Sequence, residues 1–257
     1  MIKEVLPLSS KLAVIGGSGF YNLQEGSNSR EVRVQTPYAN APVSVYQEQT
    51  TAGDIWFIPR HGKLHVVAPH QINYRANLWA LHNLGVSTVI AVNAVGGISA
   101  SMLPGSLVLP DQIIDYTWGR EHTFFVGEHA LDKHLDFTWP YDAQLSAILQ
   151  QSAGRNIQTV VSGAVYAATQ GPRLETAAEI RKMQRDGCDI VGMTGMPEAI
   201  LARELNVRYA CIALVVNKGA GLGSGTITTE DIQLVLAKGM AQVRRLLLGA
   251  LAELLLA

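Results

Sequence analysis

Short apolar runs alternate along the chain with stretches whose apolar residues recur at every third or fourth position. KLAVIGG (11–17), DIWFIPR (54–60), STVIAVNAVGG (87–97) and VRYACIALVVN (207–217) are apolar on consecutive residues, the pattern of strands covered on both faces. SLVLPDQIID (106–115) and QTVVSGAVYA (158–167) predict further strands. Helical spacing marks INYRANLWALHNLG (72–85), ETAAEIRKMQRDG (175–187) and MPEAILARELN (196–206), and each closes on a glycine or asparagine, the usual helix stop. Residues 229–257 predict a long amphipathic helix. Strand and helix alternate over the whole length without linker or repeat. The expectation is one α/β domain over residues 1–257, a central mixed β-sheet flanked by helices.

One segment breaks the rhythm. YTWGREHTFFVGEHALDKHLDFTWPY (116–141) is aromatic, rich in histidine and without period, and so long a loop in a compact domain is expected to be a lid or a subunit contact. Composition then narrows the class. Apolar residues make up 48% and charged residues 16%, enough for a substantial core and too apolar for disorder. The net charge of −1, with no basic run longer than two residues, argues against nucleic acid or an anionic membrane as partner. No signal-peptide pattern opens the chain and no apolar stretch reaches a membrane span, so a cytoplasmic protein is expected. Cys188 and Cys211 lie in or beside apolar runs and read as buried, reduced thiols. No metal is expected: there is no CxxC, and His61 and His65 have no matching second pair.

Chemistry gathers at the predicted strand ends, where open α/β sheets bind ligands. VIGGSGF (14–20) is a glycine turn that offers backbone N–H groups and the Ser18 hydroxyl to an anion, though its spacing is neither Walker A nor GxGxxG. IPRHGKLHVVAPHQINY (58–74) places Arg60 and His61 at a strand end, and arginine suits bidentate contact with phosphate. AVNAVGGIS (91–99) puts Asn93 at the tip of another glycine turn. DIVGMTGMPEAI (189–200) ends a strand at Met193-Thr194 and opens a helix near Pro197, placing Thr194 where an anion would sit. Taken singly, each is also an ordinary turn, solvated loop or helix cap. Four anion donors at four strand ends are hard to attribute to coincidence.

Together IGGSGF, PRHGKLHVVAPHQINYRANLWAL, NAVGGI, TQGPRLETAAEI and DIVGMTGMPEAILARE resemble the trimeric purine nucleoside phosphorylase family, with the methylthioadenosine phosphorylase branch closest. The resemblance runs from about residue 12 to 245. It implies a phosphorylase/hydrolase-like α/β fold, phosphorolysis of a small purine nucleoside, inorganic phosphate as co-substrate, no cofactor or metal, and a homotrimer. It further implies phosphate contacts from Ser18, Arg60, His61, Asn93, the Ala94 amide and Thr194. Met193 would lie against the ribose, Glu175 and Asn217 would face the purine, and Leu174 would lie on or beside its plane. His134 matches a histidine lent by the neighbouring subunit near the 5′ end of the nucleoside.

The departures choose among substrates. The adenine branch places aspartates at the positions of Asn217 and Gly219 and a serine at that of Glu175. The 6-oxopurine enzymes resemble this chain in having glutamate and Asn-Lys there, as in LET and VNK. One carboxamide matches a 6-oxopurine leaving group, its NH2 donating to O6 and its carbonyl accepting from N7–H. A carboxylate at Glu175 likewise accepts from N1–H of hypoxanthine, whereas adenine N1 is an acceptor. Each mismatch with adenine costs about 1–3 kcal/mol, so two that added would separate the bases by roughly 10³-fold. Asn217 is otherwise a loop-capping amide, and Glu175 a first-turn helix carboxylate. Inosine phosphorylases resemble one another in a histidine on the last helix for the 5′-hydroxyl, but here Ile232 stands there, with Val235 and Leu236 on the same face. That apolar trio suits a methylthio group, or is simply helix–sheet core. The features together predict S-methyl-5′-thioinosine as substrate, with Asn217, Arg60 and His61 as the catalytic groups. The methylthioadenosine compound, a general 6-oxopurine nucleoside, and binding without catalysis are the alternatives.

Overall fold

A computed structural model of the chain describes residues 12–23, 29–127, 134–155 and 159–255. In chain order it contains β1 (Leu12–Gly16), β2 (Ser29–Thr36), β3 (Ala39–Thr50), β4 (Gly53–Pro59), a 3-10 turn (Pro69–Gln71), α1 (Tyr74–Asn83), β5 (Thr88–Gly97) and β6 (Leu107–Asp115). There follow α2 (Ala143–Arg155), β7 (Val160–Ala168), α3 (Ala177–Arg185), β8 (Ile190–Gly192), α4 (Gly195–Glu204), β9 (Arg208–Lys218) and α5 (Thr229–Leu254).

Among the described residues, all nine strands join one mixed sheet in the order β2-β3-β4-β1-β5-β8-β7-β6-β9, and β9 pairs back onto β5. The last five positions therefore close into a ring, while β1 to β4 extend from β5 as an open sheet. The consecutive apolar runs are covered on both faces, as their pattern predicts. In β1, Ala13 and Ile15 pack with residues of α1 and α4, whereas Leu12 and Val14 pack with residues of α2 and α5. The predicted α/β class and mixed sheet hold. The β2–β3 hairpin and α2 lie beyond the sequence reading.

Two boundaries bear on the site. Thr176 caps α3 in a full capping box with Glu179, so the helix begins after Glu175 rather than at it. Glu175 is therefore free of the helix, and its reading as a first-turn carboxylate is corrected. The described parts of 116–141 form no helix or strand, as expected, and residues 128–133 lie outside the described chain. Residues 256–257 of the predicted terminal helix lie outside it too. Cys188 and Cys211 are free and buried.

Candidate active site

β1, β4, β5 and β9 are mutually parallel through their pairings, so their carboxyl ends meet at one edge of the sheet. β8 enters antiparallel to β5 and delivers Met193 and Thr194 to the same place. The result is a cavity of about 190 Å³. Ser18, Arg60, His61, Ala94, Met193, Thr194, Leu174, Glu175, Asn217 and Ile232 all line it. Segments separated by more than 200 residues, from Ser18 to Ile232, thus converge as the motifs predict.

The polar end is built on close backbone approach. A Cβ on Gly17 would lie 2.5 Å from the Val92 carbonyl oxygen and 2.9 Å from Arg60 Nη1, so the turn that presents Ser18 tolerates no side chain there. Arg60 is 2% exposed and its fork is already engaged. Nε and Nη2 donate to the two carboxylate oxygens of Glu198 at 2.7 and 2.8 Å, Nη2 donates to Asn93 Oδ1 at 3.0 Å, and Nη1 donates to the Val92 carbonyl at 3.1 Å. Of the five N–H donors of a guanidinium, one on Nη1 remains. The expected bidentate arginine–phosphate contact is corrected accordingly: the carboxylate occupies the fork, because a cation buried this deeply requires a counter-charge. Burial pushes the Arg60 pKa down, but the adjacent Glu198 charge outweighs it and holds the guanidinium above its ordinary range.

Asn93 also differs from expectation. It is 1% exposed and stands behind the cavity wall, its Oδ1 accepting from Arg60 and its Nδ2 donating to the Tyr166 hydroxyl at 3.3 Å. It acts on the arginine, not on the cavity. His61 does face the cavity. Its Nδ1 lies 2.8 Å from the Val67 carbonyl, which can only accept, so the proton sits on Nδ1 and Nε2 is left as an acceptor. Burial, then the Arg60 charge, lower its pKa to about 4, so the ring is neutral. Thr194 precedes α4, yet its hydroxyl makes no capping bond, which leaves it for the cavity.

At the other end the β5–β9 register sets the geometry. Val95 pairs with Val215 but Gly96 pairs with Asn217, so Val216 is an extra residue on β9. That bulge aims both Val216 and Asn217 at the cavity. Asn217 Nδ2 donates to the Lys218 carbonyl at 2.7 Å. Only the NH2 end of the amide can make that bond, so Oδ1 and the second N–H remain for a ligand. Thr169 donates its hydroxyl to Glu175 Oε1 at 2.7 Å, holding the carboxylate in place. Gly219 could not be an aspartate without movement, since a Cβ would meet two Ile180 carbons at 3.2 Å and the Gly97 oxygen at 3.3 Å.

The apolar trio separates. Ile232 lines the cavity, but Leu236 is 3% exposed and packs beneath Gly19, and Val235 packs against the same core. Leu236 is corrected to a core residue, and Val235 is half-buried against that core; neither lines the cavity. His134 is exposed and does not line the cavity of its own chain.

Two residues were missed from the sequence. Glu198 is fully buried, anchors Arg60 and accepts from the Tyr209 hydroxyl at 2.8 Å. A glutamate within an otherwise apolar helix start was the available signal. Arg120, in the aperiodic segment, is also buried. It donates to the carbonyls of Thr169, Gln170, Met193 and Met196, to Gln170 Oε1 and to the Tyr74 hydroxyl, tying together the backbones that carry Glu175's anchor and Met193.

The phosphorylase superfamily model matches residues 11–252. A probable S-methyl-5′-thioinosine phosphorylase of Pseudomonas syringae pv. tomato is 48% identical over 93% of this chain and 98% of its own. A 6-oxopurine nucleoside phosphorylase of Pyrococcus furiosus is 42% identical over 94% of this chain and 92% of its own. Among solved structures, methylthioadenosine phosphorylase from Schistosoma mansoni in complex with adenine superposes with a TM-score of 0.87 at 30% identity, covering 95% of this chain and 92% of the other.

Proposed function

The chain belongs to the phosphorylase superfamily, and on that premise we propose that it cleaves S-methyl-5′-thioinosine with inorganic phosphate, giving hypoxanthine and 5-methylthioribose 1-phosphate. The observation that carries the reading is the Asn217 side chain, bulged with a free Oδ1 and a free N–H into the cavity that the Thr169-held carboxylate of Glu175 also lines. That pair accepts from N7–H and N1–H and donates to O6 of a 6-oxopurine. The relatives named for thioinosine and 6-oxopurine nucleosides support it. The adenine-bound structural neighbour supports the fold and the cavity rather than the base, since this chain lacks that branch's aspartates at Asn217 and Gly219.

In the proposed reaction the glycosidic bond lengthens and the ribosyl group gains oxocarbenium character. Phosphate, held by Ser18, Thr194, the remaining Arg60 N–H, His61 and the Ala94 backbone, stabilises that charge and forms the new bond to C1′. The bond from C1′ to the purine breaks, and N7 takes a proton from solvent while Asn217 supports the leaving base. Met193 and Leu174 bound the sugar and base, and Ile232 offers an apolar contact to the methylthio group. No protein nucleophile and no metal or other cofactor takes part in this scheme. The partners are small molecules and further copies of the chain. In a homotrimer the exposed His134 would reach a neighbouring site, and the exposed Trp118, Val126, Leu135 and Trp139 of the same segment support such a contact. A cytoplasmic setting is supported by the two free thiols.

The test is a panel of paired 5′-methylthio and 5′-hydroxy nucleosides, with and without phosphate. Phosphate-dependent hypoxanthine release from the methylthio compound should be fastest. Faster adenine release, or equal rates with inosine, would overturn the base or 5′ assignment respectively.

A further inference from the structure

The phosphate end of the cavity carries less charge than its arginine advertises. Arg60 is matched oxygen for nitrogen by Glu198, with both side chains 0% exposed, so the pair is neutral as a unit. His61 donates from Nδ1 to the Val67 carbonyl and is neutral. Ser18 and Thr194 are hydroxyls, and the other ionisable lining group, Glu175, is acidic. A phosphate dianion entering this cavity meets oriented dipoles but no net positive charge from the lining residues. Dipoles alone bind small anions in helix termini and nests, yet an uncompensated dianion taken out of water beside the Glu175 carboxylate is costly.

One ionisable side chain at the rim is not accounted for by the scheme above. The His65 Nε2 lies 3.4 Å from Ser18 Oγ, its ring centroid is 4.7 Å from that of His61, and the Tyr21 ring packs against it at 5.6 Å, edge to face. The loop holds it there at φ 54, a left-handed conformation uncommon for a side-chain-bearing residue and one that clusters at ligand sites. The backbone N–H of His65 donates to the Gly62 carbonyl at 3.0 Å, which closes the turn. Among the described residues, the titratable groups facing its ring are His61 from the same loop and Tyr21 from the β1–β2 connection. Arg60 stands beyond His61, and Lys63 is turned away over the Tyr46 ring. None of these is a carboxylate. The side chain is exposed, and what burial it has holds the His65 pKa below its ordinary value, so at mildly alkaline pH the ring is neutral before phosphate binds.

Resting on the phosphorolytic reading, we propose that His65 is the cationic partner of bound phosphate, taking one proton from solvent as the dianion settles against Ser18 and His61. Phosphate binding is then proton-linked, with the imidazolium N–H donating to a phosphate oxygen. The neutral Nε2 of His61 accepts from the remaining P–OH. The two histidines differ in role because one has its Nδ1 proton fixed by a backbone carbonyl and Arg60 beside it, while the other faces only neutral groups.

The experiment is calorimetric titration of the full chain with inorganic phosphate at mildly alkaline pH, repeated in buffers of different ionisation enthalpy, for the wild type and His65→Gln. The wild type should take up close to one proton per phosphate bound. The variant should take up almost none, bind phosphate about tenfold more weakly, and show KM for phosphate raised with kcat changed much less. A wild type that takes up no proton would overturn the proposal. So would a variant that keeps both the uptake and the affinity, which would move the proton to His61. The proton count is read without turnover, so it stands apart from whether any nucleoside is cleaved.

Discussion

Arg60 and His61 are adjacent in sequence and opposite in electrostatic behaviour, and the difference has a consequence for stability. His61 has an ordinary pKa of 6.5 and a folded one lowered to about 4, through burial first and the Arg60 charge second. Between those values the unfolded chain binds a proton that the folded chain does not. Stability is therefore complete above about pH 6.5 and falls as the pH drops toward 4, by up to about 3 kcal/mol from this residue. Denaturant titrations across that window should show the decline, and His61→Asn should flatten it. An unchanged slope in the variant would place the linkage elsewhere. His61 was readable as a candidate site residue once PRHG was set beside the other strand-end motifs, but its neutral state was not, because it depends on the Val67 carbonyl and on a charge that Glu198 balances from 138 residues away. Asn93 was likewise visible as a polar residue at a strand end. That it serves Arg60 rather than a ligand is decided by Tyr166, across the ring of strands.

At the level of elements, period and caps were legible and local irregularities were not. The doubly buried strands announced themselves by consecutive apolar residues. The β2–β3 hairpin did not, since much of it is exposed or half-buried and its polar residues mask the alternation. The β9 bulge leaves no mark in VVNK, because an extra residue is defined only by its partner strand. Nor did the aperiodic stretch after β6 reveal that Arg120 pins the site from below. A lysine there has three donors on a flexible stem and cannot reproduce six contacts in a fixed fork. Arg120→Lys should therefore lower kcat/KM by roughly ten- to a hundredfold through misplacement of Met193 and Glu175. Steady-state kinetics, with thermal melting as control, would check this. A variant with wild-type kinetics would show that the loops hold their places unaided.

For the whole molecule, the sequence conveyed the class and the mixed sheet, but not the ring closed by β5–β9 pairing, which is a long-range choice of partner. It is this closure that brings Asn217, Glu175, Thr194 and Ser18 around one cavity. The exposed aromatic segment gives a prediction at the same scale: light scattering should report three chains, and a monomer of full activity would remove His134 from the 5′ end. The central claim is that Asn217 selects the base. Its most direct test is the ratio of kcat/KM for S-methyl-5′-thioinosine to that for S-methyl-5′-thioadenosine, in the wild type and in Asn217→Asp. The ratio should favour the inosine compound in the wild type, by roughly 10³-fold if both mismatches act, and fall sharply in the variant; the same ratio in both proteins would contradict it.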